Sequence, residues 1–167
     1  MRIAISLFLL ASLILLAGCL PASGAGRVTV QLTADIRGRD RLSGLEIEME
    51  TAGIHSAGHP IAASWVNWPA PSRQVDLLTI RPDETLVLGA ADVPAGRYDR
   101  VRIVVEAGYA ERTDGAQVPL VLNVEPIALP FELKNDEHIE ITMELIALAQ
   151  ADGGYHLFTK SAAISKQ

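Results

Sequence analysis

Between residues 27 and 167 the chain alternates apolar and polar side chains with a period of two, the pattern of a strand with one face buried and the other wet. Leu45-Glu46-Ile47-Glu48-Met49-Glu50 is the clearest stretch: Leu45, Ile47 and Met49 turn toward a core and the three glutamates toward water. The same reading covers Arg27 to Thr33, Tyr98 to Ala107 with Val101, Ile103 and Val105 inward, and Ile139 to Leu148 with Ile139, Ile141, Met143 and Leu145 inward. Shorter strands are expected over Gln74 to Ile80, Thr85 to Leu88, Val118 to Val124, Leu129 to Leu133 and Tyr155 to Thr159, each bounded by Gly, Pro, Asp or Asn. Asp114-Gly115 and Asp152-Gly153-Gly154 predict hairpin tips, because glycine reaches positive φ without a Cβ clash. Pro119 and Pro130 lack an N–H and predict edge strands or bulges. No long amphipathic helix is visible, so the expected fold is all-β: a single antiparallel β-sandwich, immunoglobulin/transthyretin-like, over residues 27–167.

The first residues break the alternation. Arg2 is followed by an apolar run from Ile3 to Ala17, the layout of an export signal, and too short for a span of about 20 apolar residues. The run ends in Leu16-Ala17-Gly18-Cys19, which resembles the lipobox of bacterial lipoproteins, with Leu16, Ala17 and Gly18 as signal-peptidase recognition residues. That resemblance implies a diacylglyceryl group on the Cys19 thiol and makes residues 1–18 a signal peptide. Cys19 is the single cysteine, so a cystine within the chain is excluded and lipidation accounts for the lone thiol. The alternatives are an ordinary secretory signal cleaved after Ala22 or Ala25, or an uncleaved anchor helix. Two acyl chains at about 0.8 kcal/mol per buried methylene hold a protein on a membrane where one chain is marginal. Residues 19–26 then form the lipidated cysteine and a tether of small and turn-forming residues, whose last seven reach about 23 Å at most. Leu20 in place of an aspartate points to the outer membrane if the source has two.

The formal charge is −6 and becomes about −7 when Arg2 leaves with the signal, which is not the footprint of a nucleic-acid binder.

Val75-Asp76-Leu77-Leu78, Leu88-Gly89 and Val93-Pro94-Ala95-Gly96-Arg97-Tyr98-Asp99-Arg100-Val101-Arg102-Ile103 resemble a bacterial domain of unknown function, family 4382. Gly26 to Thr33, Ile54-His55 and Tyr155-His156-Leu157 extend the resemblance over essentially the whole exported chain. Members are typically lipoproteins or secreted proteins, so the resemblance implies fold and location. It implies no activity. Pro-Ala-Gly-x-Tyr also resembles the strand entry of transthyretin-like sandwiches.

Among candidate chemistries, His55 and His59 flank Ser56-Ala57-Gly58 as a metal pair, but the glycine and Pro60 argue for a loop, and His138 and His156 stand alone. No metal and no cofactor is expected. Trp65, Asn67 and Trp68 form the candidate ligand-binding set, since indole faces suit sugar rings or a partner surface. Three residues apart on a strand, the two indoles point to opposite faces, which favours one core anchor and one exposed ring. Glu46, Glu48 and Glu50 with Glu140 and Glu144 form carboxylate rows that would hold cations only if their strands were neighbours. Arg37, Arg39 and Arg41 make a basic loop expected near the tether, suited to anionic headgroups or simply solvated. No nucleophile elbow, zinc-protease helix or phosphate loop appears. The expectation is a non-catalytic envelope module held by Cys19 that binds a glycan or a protein. Its rivals are a purely structural envelope component and a hydrolase, the latter marked by Asp76, Asp99 or a His pair converging in a cleft.

Overall fold

The computed structural model describes residues 24–58, 64–70 and 73–166. Residues 16–19, most of the tether and His59 lie outside them. The strands are β1 (Ala25–Ile36), β2 (Leu42–Ser56), β3 (Trp65–Pro69), β4 (Gln74–Asp76), β5 (Leu86–Pro94), β6 (Gly96–Arg112), β7 (Gln117–Val118), β8 (Leu120–Asn123), β9 (Ile127–Leu133), β10 (His138–Ala149) and β11 (Tyr155–Lys166). Two sheets face each other, one ordered β5-β1-β10-β11-β8 and the other β3-β2-β6-β7, with β4 also on β2 and β9 also on β6.

The residues assigned inward form the core between them. Leu45, Ile139, Ile141, Met143, Leu145 and Val101 are fully buried, and Ile47, Met49 and Ile103 nearly so, while Val105, also assigned inward, is only partly buried against them where β6 is irregular against β2. At ~25 cal/mol per Å² of apolar surface removed from water, this double layer is the main force holding the sheets together. Hairpins turn at Gly115 (φ 81°) and Gly153 (φ 87°), as the Asp-Gly pairs predicted.

Four expectations need correction. The sandwich is not wholly antiparallel: β1 pairs with β10, and β11 with β8, in parallel. Alternation identifies the buried face of a strand and says nothing of its neighbour's direction, and the long excursion through the other sheet gives β10 the length of chain that a parallel return needs. Val118 to Val124 is not one strand, because Pro119 separates β7 in one sheet from β8 in the other. Gln74 to Ile80 is strand only as far as Asp76, whose carboxylate accepts from the Leu78 amide (2.9 Å) and caps a 3-10 turn over Leu77–Thr79. The first strand, expected over Arg27 to Thr33, runs from Ala25 to Ile36, with the Ala95 amide donating to the Gly24 carbonyl at 2.8 Å. No helix among the described residues is long and apolar enough to cross a membrane.

Candidate functional site

The side chains with most chemistry gather on the outer face of the second sheet, where β3, β2 and β6 run side by side. Their presence there follows from two register shifts. Strict alternation from Leu45 would send His55 inward, but β2 is irregular against β6 around Met49 to Thr51. Beyond it Ala52 and Ile54 take the core positions and Gly53 and His55 face outward. On β6 a second irregularity leaves Asp99 without a partner in either ladder: Tyr98 and Arg100 pair with Ser56 and His55 on one side, and with Phe131 and Ala128 on the other. Pro130 sits opposite this break, where a missing N–H costs nothing. Bulges re-aim side chains, and this one delivers the Asp99 carboxylate to the His55 ring.

His55 is only 2% exposed although it lies on the outer face. Its Nδ1 stands 2.7 Å from Asp99 Oδ1 and its Nε2 2.9 Å from Ser64 Oγ. A carboxylate only accepts, so Nδ1 donates to Asp99, and in the Nδ1–H tautomer Nε2 accepts from the Ser64 hydroxyl. Burial of an imidazole is tolerable only with both nitrogens satisfied, as here. Hydroxyl, base and orienting carboxylate thus stand in the order that activates a serine nucleophile. The ring also meets Trp65 edge-on, with centroids 5.3 Å apart.

Trp65 in turn carries Arg102, whose guanidinium carbon lies 4.1 Å from the ring centroid, while Arg102 Nη2 donates to Asn67 Oδ1 at 3.1 Å. Gly53 makes this possible. A Cβ there would collide with Asn67 Oδ1 and stand 3.0 Å from the Val66 carbonyl, so only glycine leaves the slot across which Asn67 reaches Arg102. The result is one connected arrangement, Ser64–His55–Asp99 beside Trp65–Arg102–Asn67, with Arg100 in the same outward row. An apolar hollow bordered by Ala57, Tyr98, Pro130 and Phe131 opens beside Asp99.

The two tryptophans do point to opposite faces. Trp68 is the core anchor, 7% exposed, its ring against Gly89 of β5, so it leaves the candidate ligand set. Trp65 is half-buried rather than freely exposed, because Arg102 and His55 cover it. Asn67 is exposed. Asp76 is spent on its turn. His138 bonds Thr29 Oγ1 at 3.0 Å, and both it and His156 lie in the other sheet, away from His55. The glutamate rows sit on β2 and β10, strands of different sheets, so they form no shared site. No group of three or more potential metal-ligating side chains gathers among the described residues.

The basic loop is also displaced from its expected place. It follows the far end of β1, about 36 Å from the tether at 3.3 Å per residue over eleven steps. Arg39 donates there to the carbonyls of Leu78 and Ile80, and Arg37 pairs with Asp35 at 3.1 Å. Sequence reasoning picked out Trp65 and Asn67 but missed Ser64, Arg102 and the joining of His55 to Asp99. The one local signal was the Pro-Ala-Gly-Arg-Tyr-Asp-Arg strand entry with Pro130 elsewhere, which together mark a bulge.

No curated protein matches the chain. No solved structure matches it either. A family model does match, over residues 25–157, and on that span, which takes in every element from β1 through the first residues of β11, the chain belongs to the family described as a domain of unknown function (DUF4382).

Proposed function

We propose that this chain is an exported cell-envelope lipoprotein, held on the membrane through Cys19, that works as a binding module for an envelope glycan or protein. The observation that carries the binding reading is the Trp65–Arg102–Asn67 cluster. An aromatic ring, a guanidinium and an amide are braced against one another on an outer sheet face, where a merely solvated surface would carry independent side chains. A cation stacked on an indole gains about 0.5–1 kcal/mol when exposed, and a braced group gives up less freedom when a ligand arrives. The anchoring reading is supported by Leu16-Ala17-Gly18-Cys19, by the lone cysteine and by the short interval from Cys19 to β1. Crosslinking in intact envelopes, with captured proteins and glycans identified by mass spectrometry, tests the binding role. A reproducible partner lost in a folded Trp65→Ala variant is the expected result; capture indifferent to Trp65 retires the face, and no specific capture leaves the structural-component reading in its place. Fractionation tests the anchor: Cys19→Ser is expected to abolish processing and detergent-dependent membrane association, and unchanged behaviour contradicts it.

A second reading, a serine hydrolase, is favoured by the Ser64–His55–Asp99 order and distances. His55 would take the Ser64 proton as the hydroxyl attacks an acyl carbon, with Asp99 holding the ring. A fluorophosphonate probe decides it: labelling at Ser64 that disappears in His55→Gln supports a hydrolase, and a chain that stays unlabelled excludes this relay as its catalyst.

A further inference from the structure

We infer that the ligand of this face is an acidic polysaccharide, whose carboxylates are taken by Arg100 and Arg102. The inference rests on the binding reading above and adds the chemistry of the ligand.

The protein is acidic overall, and five of the ten arginines among the described residues are held by partners of their own. Arg27, Arg37, Arg81 and Arg112 each hold a carboxylate, and Arg39 is committed to backbone carbonyls. Among the described residues, Arg97, Arg100 and Arg102 of β6 are in no ion pair, although Asp99 and Glu132 are close in the ladder. Asp99 is turned onto His55 instead, which leaves the neighbouring guanidiniums without it. Register places Arg100 across from His55 and Arg102 across from Gly53, both in the outward row, so their backbone positions lie about 6.6 Å apart along the strand. Arg102 is held from two sides, by the Trp65 face and by Asn67, while its Nε is shielded from solvent with no partner among the described residues.

Two planar forks set in a row along a strand suit planar anions that recur along an extended chain. Asn67, exposed beside the arginines, supplies a polar contact for a sugar hydroxyl, while Trp65 under Arg102 braces the guanidinium.

Placement favours a polymer over the lipid surface. The chain enters the fold at Gly24, beside Ala95, so an anchor at Cys19 would join the domain near the Gly96 end of β6. Arg102 is six residues further along, about 20 Å at 3.3 Å per residue, beyond a Debye length of about 8 Å at physiological salt.

The test uses the full mature lipidated chain in detergent, titrated calorimetrically with oligogalacturonate, with neutral dextran oligomers of matched length, and with phosphatidylglycerol vesicles. Oligogalacturonate is expected to bind at least tenfold more tightly than dextran, to weaken as salt rises, and to lose at least tenfold in Arg100→Gln/Arg102→Gln. Gly53→Ala, which dislodges Asn67 while leaving both arginines, is expected to weaken it several-fold, with near-ultraviolet circular dichroism confirming that both variants fold. Equal binding of dextran and oligogalacturonate, both lost in Trp65→Ala, would keep the binding face and overturn its acidic ligand. Vesicle binding that needs the two arginines, without oligogalacturonate binding, would give the row to the membrane and overturn the inference as well.

Discussion

His55 shows how much can hang on one side chain. It joins β2 to Asp99 of β6 and to Ser64 at the start of β3, and supports the Trp65 ring that carries Arg102. Replacing it by alanine removes its hydrogen bonds with Asp99 and Ser64 and opens a gap under the indole. His55→Ala is therefore expected to cost about 2–3 kcal/mol in urea unfolding, with Ser64→Ala costing about 1 kcal/mol or less. The tryptophans separate on the same scale. Trp68→Ala empties a core position against Gly89 and is expected to cost about 3–5 kcal/mol, whereas Trp65→Ala, at a half-buried outer position, is expected to cost less than half of that. If the two losses are equal, Trp65 is core and not a contact surface.

At the level of elements, the positions that alternation assigned are the ones buried, and what escaped the sequence lies where alternation breaks. Leu45, Ile47 and Met49 face the core as read, yet six residues later the same parity is wrong for His55, because an extra residue in β2 flips the faces. Register is a relation between strands, and a single strand's pattern carries no record of where its partner slips. The same blindness hid the parallel ladders and the meeting of His55 with Asp99, 44 positions away. Proline and aspartate were better guides, since they act locally: Pro119 divides β7 from β8, and Asp76 ends β4 by capping the next turn. Asp76→Ala is expected to cost about 1 kcal/mol, with exchange protection lost first at the Leu78 amide. Unchanged protection there would mean that the turn stands without its cap.

For the molecule as a whole, the β10–β11 ladder of one sheet carries ion pairs that respond to acid. Hydrogen bonds from Lys160 and Ser161 hold the Glu144 carboxyl below its ordinary value of 4.5, and Lys166 with the Lys134 amide does the same for Glu137. Both groups are depressed in the fold, so their stabilisation is full above about pH 4.5 and is lost as the pH falls below it. Thermal stability is expected to be flat from pH 7 to 5 as far as these groups act and to fall below pH 4.5, with a shallower fall in Glu144→Gln. An identical acid slope in that variant would show that Lys160 and Ser161 contribute nothing. The central claim is that a lipid-anchored sandwich meets its partner with one face, and a photo-crosslinking residue placed in turn at Asn67 and at Val87, 51% exposed on β5 of the other sheet, tests it most directly in intact envelopes. Capture from position 67 that fails in Arg102→Gln, with none from position 87, is the predicted result; equal capture from both, indifferent to Arg102, would contradict it.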